Sequence, residues 1–147
     1  TVRENLMSIM QMIGLPKEEQ IRKCDRFLSE LNITHIADSL GYNLSGGERR
    51  RTEIARTLVT DPKYILLDEP FTGVDPIARE DIQGIVSQLK KKGLGVLITD
   101  HNVRETLEAC DKAYILNDGE IIESGSPEKI VSSKTARRIY LGDEFKL

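Results

Sequence analysis

Cysteine is scarce: the chain has two, Cys24 and Cys110. They lie far apart and in no ligand-like spacing, which excludes a disulfide framework and leaves two reduced, mostly buried thiols as the expectation. No apolar run approaches the roughly 20 residues that span a bilayer. Nothing at the start reads as a signal peptide, so a cytosolic chain is expected. An excess of one charge is missing too. The net charge of -3 leaves no basic footprint, and no nucleic-acid partner is expected. There is no internal repeat and no low-complexity tract. What remains is 147 residues, 39% hydrophobic and 31% charged, which is the size and make-up of one ordinary globular domain.

The first part reads as helices. Val2, Leu6, Ile9, Met10 and Ile13 recur at spacings of three and four, and Gly14 and Pro16 end that run. A second helix is expected from about Lys17 to Leu31, with Ile21, Cys24, Phe27, Leu28 and Leu31 as its buried stripe. Residues 33–43 read as a connector with a short turn around Ile36, and His35 there as a solvated surface histidine. Leu44-Ser45-Gly46-Gly47-Glu48 opens a third helix that runs to about Val59. Ser45 and Glu48 have capping-box spacing. That alone would explain a well-made helix start, but not two glycines in the first turn, each costing about 1 kcal/mol relative to alanine. Their expected use is to bare the N–H groups and positive dipole end for an anion. Arg49, Arg50 and Arg51 follow and read as a solvated or ion-paired face.

Tyr64-Ile65-Leu66-Leu67 is apolar without alternation, which predicts a strand buried on both faces. Asp68 and Glu69 follow it, and Pro70 stops the ladder. In open α/β sheets ligands sit beyond the carboxyl ends of strands, so this acidic pair is well sited for a metal ion and a water. Asp75-Pro76 reads as an N-cap and first helical residue. Ile82, Ile85, Val86 and Leu89 form that helix's stripe, Lys90 to Lys92 load its last turn, and Gly93 ends it. Val96 to Thr99 is a second apolar strand, completing a βαβ unit. Asp100-His101-Asn102 stands at its end, with Asn102 and Glu105 placed to cap a short helix. A hairpin over 113–123, a short helix from Ser126 and a last one near Ala136 to Leu141 complete the chain.

A bared helix start, an Asp-Glu after one strand and a histidine after the next suit phosphoryl transfer. Backbone N–H groups bind phosphate oxygens. Asp68 can hold Mg²⁺, Glu69 can polarise or deprotonate a water, and His101 can donate to a terminal phosphate. The motifs resemble those of ABC-transporter nucleotide-binding domains. LSGGE at 44–48 resembles the family's signature, YILLDE at 64–69 its Walker B strand with the catalytic glutamate, Thr72 to Asp75 its D-loop, and His101 its switch histidine. Within the family, LSGGERRR, LLDEPFTGVDPI, LITDHNVRET and the ending RRIYLGDEF are similar to ATPases of lipopolysaccharide export, with branched-chain amino-acid importers as relatives.

The resemblance implies an α/β fold: a truncated RecA-like P-loop NTPase core, with a partial parallel sheet, preceded by a helical subdomain. It divides the chain into a helical part, 1–59, and a core part, 60–147. It implies ATP and Mg²⁺ as cofactors and ATP hydrolysis in the intact domain. Ser45, Gly46, Gly47 and Glu48 would contact nucleotide, Asp68 the metal, and Glu69 and His101 would be catalytic. Asp75 would act across a homodimer interface. Partners would be transmembrane transporter subunits, and the location the cytoplasmic face of the inner membrane. One departure is large: the chain contains no G-x-x-x-x-G-K-[ST] and no strand before Tyr64. The isolated chain is therefore expected to be inactive. The alternatives are an ATPase of another transporter, or a non-catalytic interaction module.

Overall fold

The computed structural model describes residues 1–142 and Phe145. Helices α1 (Val2–Met12), α2 (Lys17–Glu30) and α3 (Gly46–Leu58) come first, α2 and α3 being joined by 3₁₀ turns at Thr34–Ile36 and Gly41–Asn43. Then follow β1 (Tyr64–Asp68), α4 (Pro76–Lys91) and β2 (Gly95–Thr99). The rest is α5 (Val103–Ala109), the strands β3 (Ala113–Asn117) and β4 (Glu120–Gly125), and α6 (Pro127–Ser132). A last turn of α-helix, α7 (Lys134–Ala136), runs into a π-helical turn at Arg137–Leu141.

Local chemistry sets these boundaries. Thr1 caps α1, its hydroxyl accepting from the Glu4 N–H at 3.2 Å while Glu4 reaches back. Asp75 caps α4 by accepting from the Ala78 N–H at 3.0 Å, and Pro76 supplies a first residue that needs no N–H partner. Strands β1 and β2 pair in parallel, with Tyr64 opposite Gly95 and Asp68 opposite Thr99. Because α4 connects them, both carboxyl ends lie on one side. Strands β3 and β4 form the expected hairpin, with an irregularity between Ile115 and Leu116.

One hydrophobic cluster joins Leu6 and Met10 of α1, Phe27 and Leu28 of α2, Ile54 and Leu58 of α3, Ile65 and Leu67 of β1, and Val86 and Leu89 of α4. A second gathers Leu107, Ile115, Ile130 and Ala136, with Leu141 and Phe145 packed against it. The expected buried thiols are there: Cys24 is buried, Cys110 half-buried, and both are free.

Three expectations need correcting. Strand β1 is buried on one face only: Ile65 and Leu67 point into the core, while Tyr64 and Leu66 are 73% and 72% exposed. Leu97 beside them is also exposed. Helices α3 and α4 cover one side of the two-stranded sheet, and no layer among the described residues covers the other. The helical stripes are narrower than their periodicity implied, since Ile13 and Ile21 are exposed. Ile13 lies beyond the last turn of α1, where Gly14 turns the chain at φ 78°. On α2, polar residues take buried places by bonding: the Gln20 side-chain amide donates to the Leu15 carbonyl at 2.6 Å, and Lys23 pairs with Asp61. Finally, Asn102 stands at the N-cap of α5, but neither its side chain nor that of Glu105 makes a capping hydrogen bond there. The Asn102 amide donates to Asp100, and Glu105 pairs with Arg79.

The open face of β1 and β2 presents Tyr64, Leu66 and Leu97 beside unpaired strand edges, a template for association. The 147-residue chain is expected to self-associate, and a Leu66→Lys, Leu97→Lys variant to be less associated at the same concentration. Sedimentation velocity checks this. Equal sedimentation of the two would acquit the open face.

Candidate functional site

The carboxyl ends of β1 and β2 bring together Asp68, Glu69 and His101. Asp68 accepts a hydrogen bond from the Thr99 hydroxyl, its register partner. Glu69 leaves the ladder with φ 45°, a left-handed conformation uncommon for a residue other than glycine. Its N–H is anchored to the Thr99 carbonyl at 2.7 Å, and its own carbonyl accepts from the Thr72 N–H at 3.2 Å. The turn frees the Glu69 side chain, half-exposed, to lie 3.5 Å from His101 Nδ1. The imidazole is 62% exposed, open to a ligand in solvent.

The start of α3 lies against the loop that carries Asp75. Ser45 and Glu48 form the capping box. The Ser45 hydroxyl and N–H donate to Glu48 Oε2 at 2.7 and 2.9 Å, and the Glu48 N–H donates back to Ser45 Oγ at 3.4 Å. His35 Nε2 lies 3.3 Å from the other oxygen of Glu48, so this exposed histidine touches the helix start. The Ser45 hydroxyl, then its N–H, hold the Glu48 carboxyl below the usual carboxylate range, with a smaller pull from His35.

The glycines have a reason beyond bare N–H groups. A Cβ on Gly46 would lie 2.7 Å from the Gly73 carbonyl oxygen, and one on Gly47 would lie 2.6 Å from the Ala78 Cβ. They let α3 close on the loop over 72–75 and on α4. A hollow of about 310 Å³ remains between Gly46, Arg49, Arg50, Thr72 and Val74. Two of the three arginines are ion-paired, Arg50 with Glu53 at 2.9 Å and Arg51 with Asp81 at 2.8 Å, while Arg49 is exposed. Arg50 also donates to the Glu69 carbonyl oxygen at 3.0 Å, which links the α3 helix to the acidic turn.

Ser45 and Glu48 have no hydrogen bond, among the described residues, to Asp68, Glu69 or His101. The sequence-expected residues thus form two groups, with Asp75 at the head of α4 beside the first. Sequence reasoning gave no role to Arg50, Thr99 or Asp100. Asp100 was visible beside His101, but nothing in the letters said that its side chain would be fully buried. A cleft of about 1200 Å³ opens on the bare sheet face, lined by Tyr64, Leu97, Tyr114 and Leu116. It touches Thr99 and Asp100 but not Asp68, Glu69 or His101.

A parallel strand pair with an acidic turn and a histidine at its carboxyl ends, backed by a glycine-started helix, is the arrangement that the resemblance to ATP-binding cassettes implies. The sequence profile of the ABC transporter family matches residues 1–72. The chain is similar to members of that family along its whole length, and its fold is that of their RecA-like P-loop cassettes. It is 54% identical over 148 residues to the lipopolysaccharide export system ATP-binding protein LptB of Haemophilus influenzae, and 50% identical to LptB of Escherichia coli K12. Each comparison covers 100% of this chain and 61% of the relative, so the chain spans under two thirds of their length. Among solved structures, the ATP-binding cassette MJ1267 superposes with a TM-score of 0.85 at 34% identity, over 97% of this chain and 63% of the other. The cbiO1 subunit from Clostridium perfringens gives 0.83 at 28% identity, over 94% and 55%.

Gly47→Ala is expected to destabilise the fold by roughly 1–3 kcal/mol, because the new methyl overpacks against Ala78. A lower urea midpoint at unchanged slope would register this, and an unchanged midpoint would count against the tight α3–α4 contact. Glu48 gives a pH signature. Its folded-state value is depressed, so its contribution is fully present above the unfolded value of about 4.3 and is lost as pH falls through the lower folded value. The stability gap between wild type and Glu48→Gln should therefore narrow between about pH 6 and about pH 3. Urea titrations across that range test it, and a constant gap would mean that the charge contributes nothing.

Proposed function

We propose that this chain is part of the ATP-hydrolysing subunit of an ABC transporter, and that the transporter exports lipopolysaccharide from the inner membrane. The observation that carries the chemistry is the Glu69–His101 pair, 3.5 Å apart at the end of the parallel strands, with Asp68 alongside. The cargo reading is supported by identity of 50–54% to relatives named for lipopolysaccharide export.

In this reading Glu69 accepts a proton from, or polarises, the water that attacks the terminal phosphate. His101 donates to an oxygen of that phosphate. Asp68 is the protein's ligand to Mg²⁺. The donor chemistry fits a hard cation: a carboxylate steadied by a hydroxyl, with oxygen as the only ligating atom. No group of three or more His, Cys, Asp or Glu residues among the described ones could hold a metal by itself. Mg²⁺ needs no such cage, since one or two protein groups and the nucleotide's own phosphates complete its shell. When bound, it neutralises charge that develops on the phosphates.

Ser45, Gly46, Gly47 and Glu48 serve a nucleotide held by a second copy of the domain, and Asp75 acts at the interface between the copies. Residues 1–59 form the helical subdomain and 60–147 the core. The phosphate-cradling loop and its lysine, absent from these 147 residues, belong to the complete domain. No helix among the described residues is long and apolar enough to cross a membrane. We place the subunit on the cytoplasmic face of the inner membrane, held by transmembrane partner subunits.

In the complete ATPase, with the phosphate-loop segment in place, Glu69→Gln should keep ATP binding and lose about 10²–10⁴-fold in turnover. ATP should then accumulate in a long-lived dimer. Phosphate release and size-exclusion elution with ATP check this, with the 147-residue chain alone as an arm expected to show no turnover. Near wild-type turnover by the variant would remove Glu69 from its role.

A further inference from the structure

Asp100 is a carboxylate with a fully buried side chain, one residue before His101, and the chemistry above does not use it. Its two oxygens face different loops. Oδ1 accepts from the Asn102 N–H at 2.8 Å and from the Asn102 side-chain amide at 3.0 Å. Taken alone, that is a local turn of the kind aspartate commonly makes with the residue two positions on. Oδ2 does something else. It accepts from the Phe71 N–H at 3.0 Å, across 29 residues of sequence. Phe71 is 1% exposed and stands two residues after Glu69. A charged side chain is costly to bury unless its oxygens are satisfied, and here the N–H groups that satisfy them come from the two loops that carry Glu69 and His101. His101 Nδ1 itself lies 3.8 Å from Oδ1, and the same nitrogen lies 3.5 Å from Glu69.

We infer that Asp100 is a positioning residue for ATP hydrolysis: its buried carboxylate ties the turn after Glu69 to the turn carrying His101 and so sets the spacing of that pair. The inference rests on the proposed ATPase reading. The strands alone do not fix this spacing. Glu69 has left the ladder in a left-handed turn, and His101 lies beyond the last paired residue, Thr99. Pro70 offers no N–H to hold the acidic turn, so the Phe71 N–H is the first backbone donor after Glu69 that can be held from the other loop.

Asp100→Asn tests this in the complete ATPase. The amide is nearly isosteric but has one acceptor atom, so whichever way it turns, either Phe71 or Asn102 faces an N–H donor instead of an oxygen. The expected result is a fall in kcat of about 10- to 100-fold with KM for ATP within about twofold, because positioning acts on the reacting pair and not on nucleotide capture. The Phe71 amide and His101 imidazole signals should shift in ¹⁵N NMR spectra. Should Asp100→Asn not fold, Asn102→Ala decides: it removes only the side-chain donor, and kcat is expected to fall by about threefold with KM unchanged. Wild-type kcat in the folded variant, or a rise in KM that accounts for the whole loss, would overturn the inference. Glu69→Gln measured in parallel separates the two claims. Full turnover there with slow Asp100→Asn removes the role of Glu69 and leaves Asp100 acting through His101. Abolished turnover there with wild-type Asp100→Asn removes only the inference.

Discussion

The parallel register of β1 and β2 is the constraint on which the site depends. Asp68 opposite Thr99 puts a hydroxyl on a carboxylate, and the Glu69 N–H on the Thr99 carbonyl is the last bond before both chains leave the sheet. A slip of one residue would turn Asp68 and Thr99 to opposite faces. It would also pull Ile65 and Leu67 out of the core. Packing and chemistry are therefore fixed by the same pairing. Burial of the inward residues stabilises the only register in which the acidic turn and the histidine turn meet.

A second contact ties the helical half to this frame. Gly46 and Gly47 leave room for Gly73 and Ala78, so the start of α3 sits on the loop that precedes α4. From one turn further along, Arg50 reaches the Glu69 carbonyl. The capping box of Ser45 and Glu48 thus stands at one end of a rigid path whose other end is the backbone of the acidic turn. No apolar gap separates the two halves, because the α1, α2 and α3 side chains and those of β1 and α4 belong to one cluster.

The elements were largely legible because their signals are local. Caps at Ser45 and Asp75, prolines at 62, 70 and 76, and period-3.6 stripes need only neighbouring residues to be read. Residues that act at a distance were not. The letters YILL look alike whether a strand has one covered face or two, and only the placement of α3 and α4 shows that Tyr64 and Leu66 face outward. Gly46 and Gly47 were recognised as unusual for a helix start, but their partners lie 27 and 31 residues on, at Gly73 and Ala78. Asp100 bonds to a backbone N–H, and backbone donors leave no trace in a sequence. Asn102 and Glu105 show the converse: their spacing satisfied a local rule, and tertiary partners at Asp100 and Arg79 took both side chains. The ending RRIYLGDEF lies partly outside the described residues, at Asp143 and Glu144. Of the rest, Leu141 packs on the second cluster while Tyr140 stays half-exposed.

Arg50 grips the Glu69 carbonyl, which every amino acid possesses. The grip is therefore blind to which side chain stands at 69. A saturation library at that codon keeps the strut intact, apart from proline's altered backbone and any residue that resists φ 45°. Its fitness spectrum would rank side chains by chemistry and by tolerance of a left-handed turn. A library at codon 50 would rank them by reach and hydrogen-bond donation, with the acid untouched. The two spectra would thus resolve reactivity from scaffolding at one pair of residues, a separation seldom available where a supporting group holds the functional side chain itself.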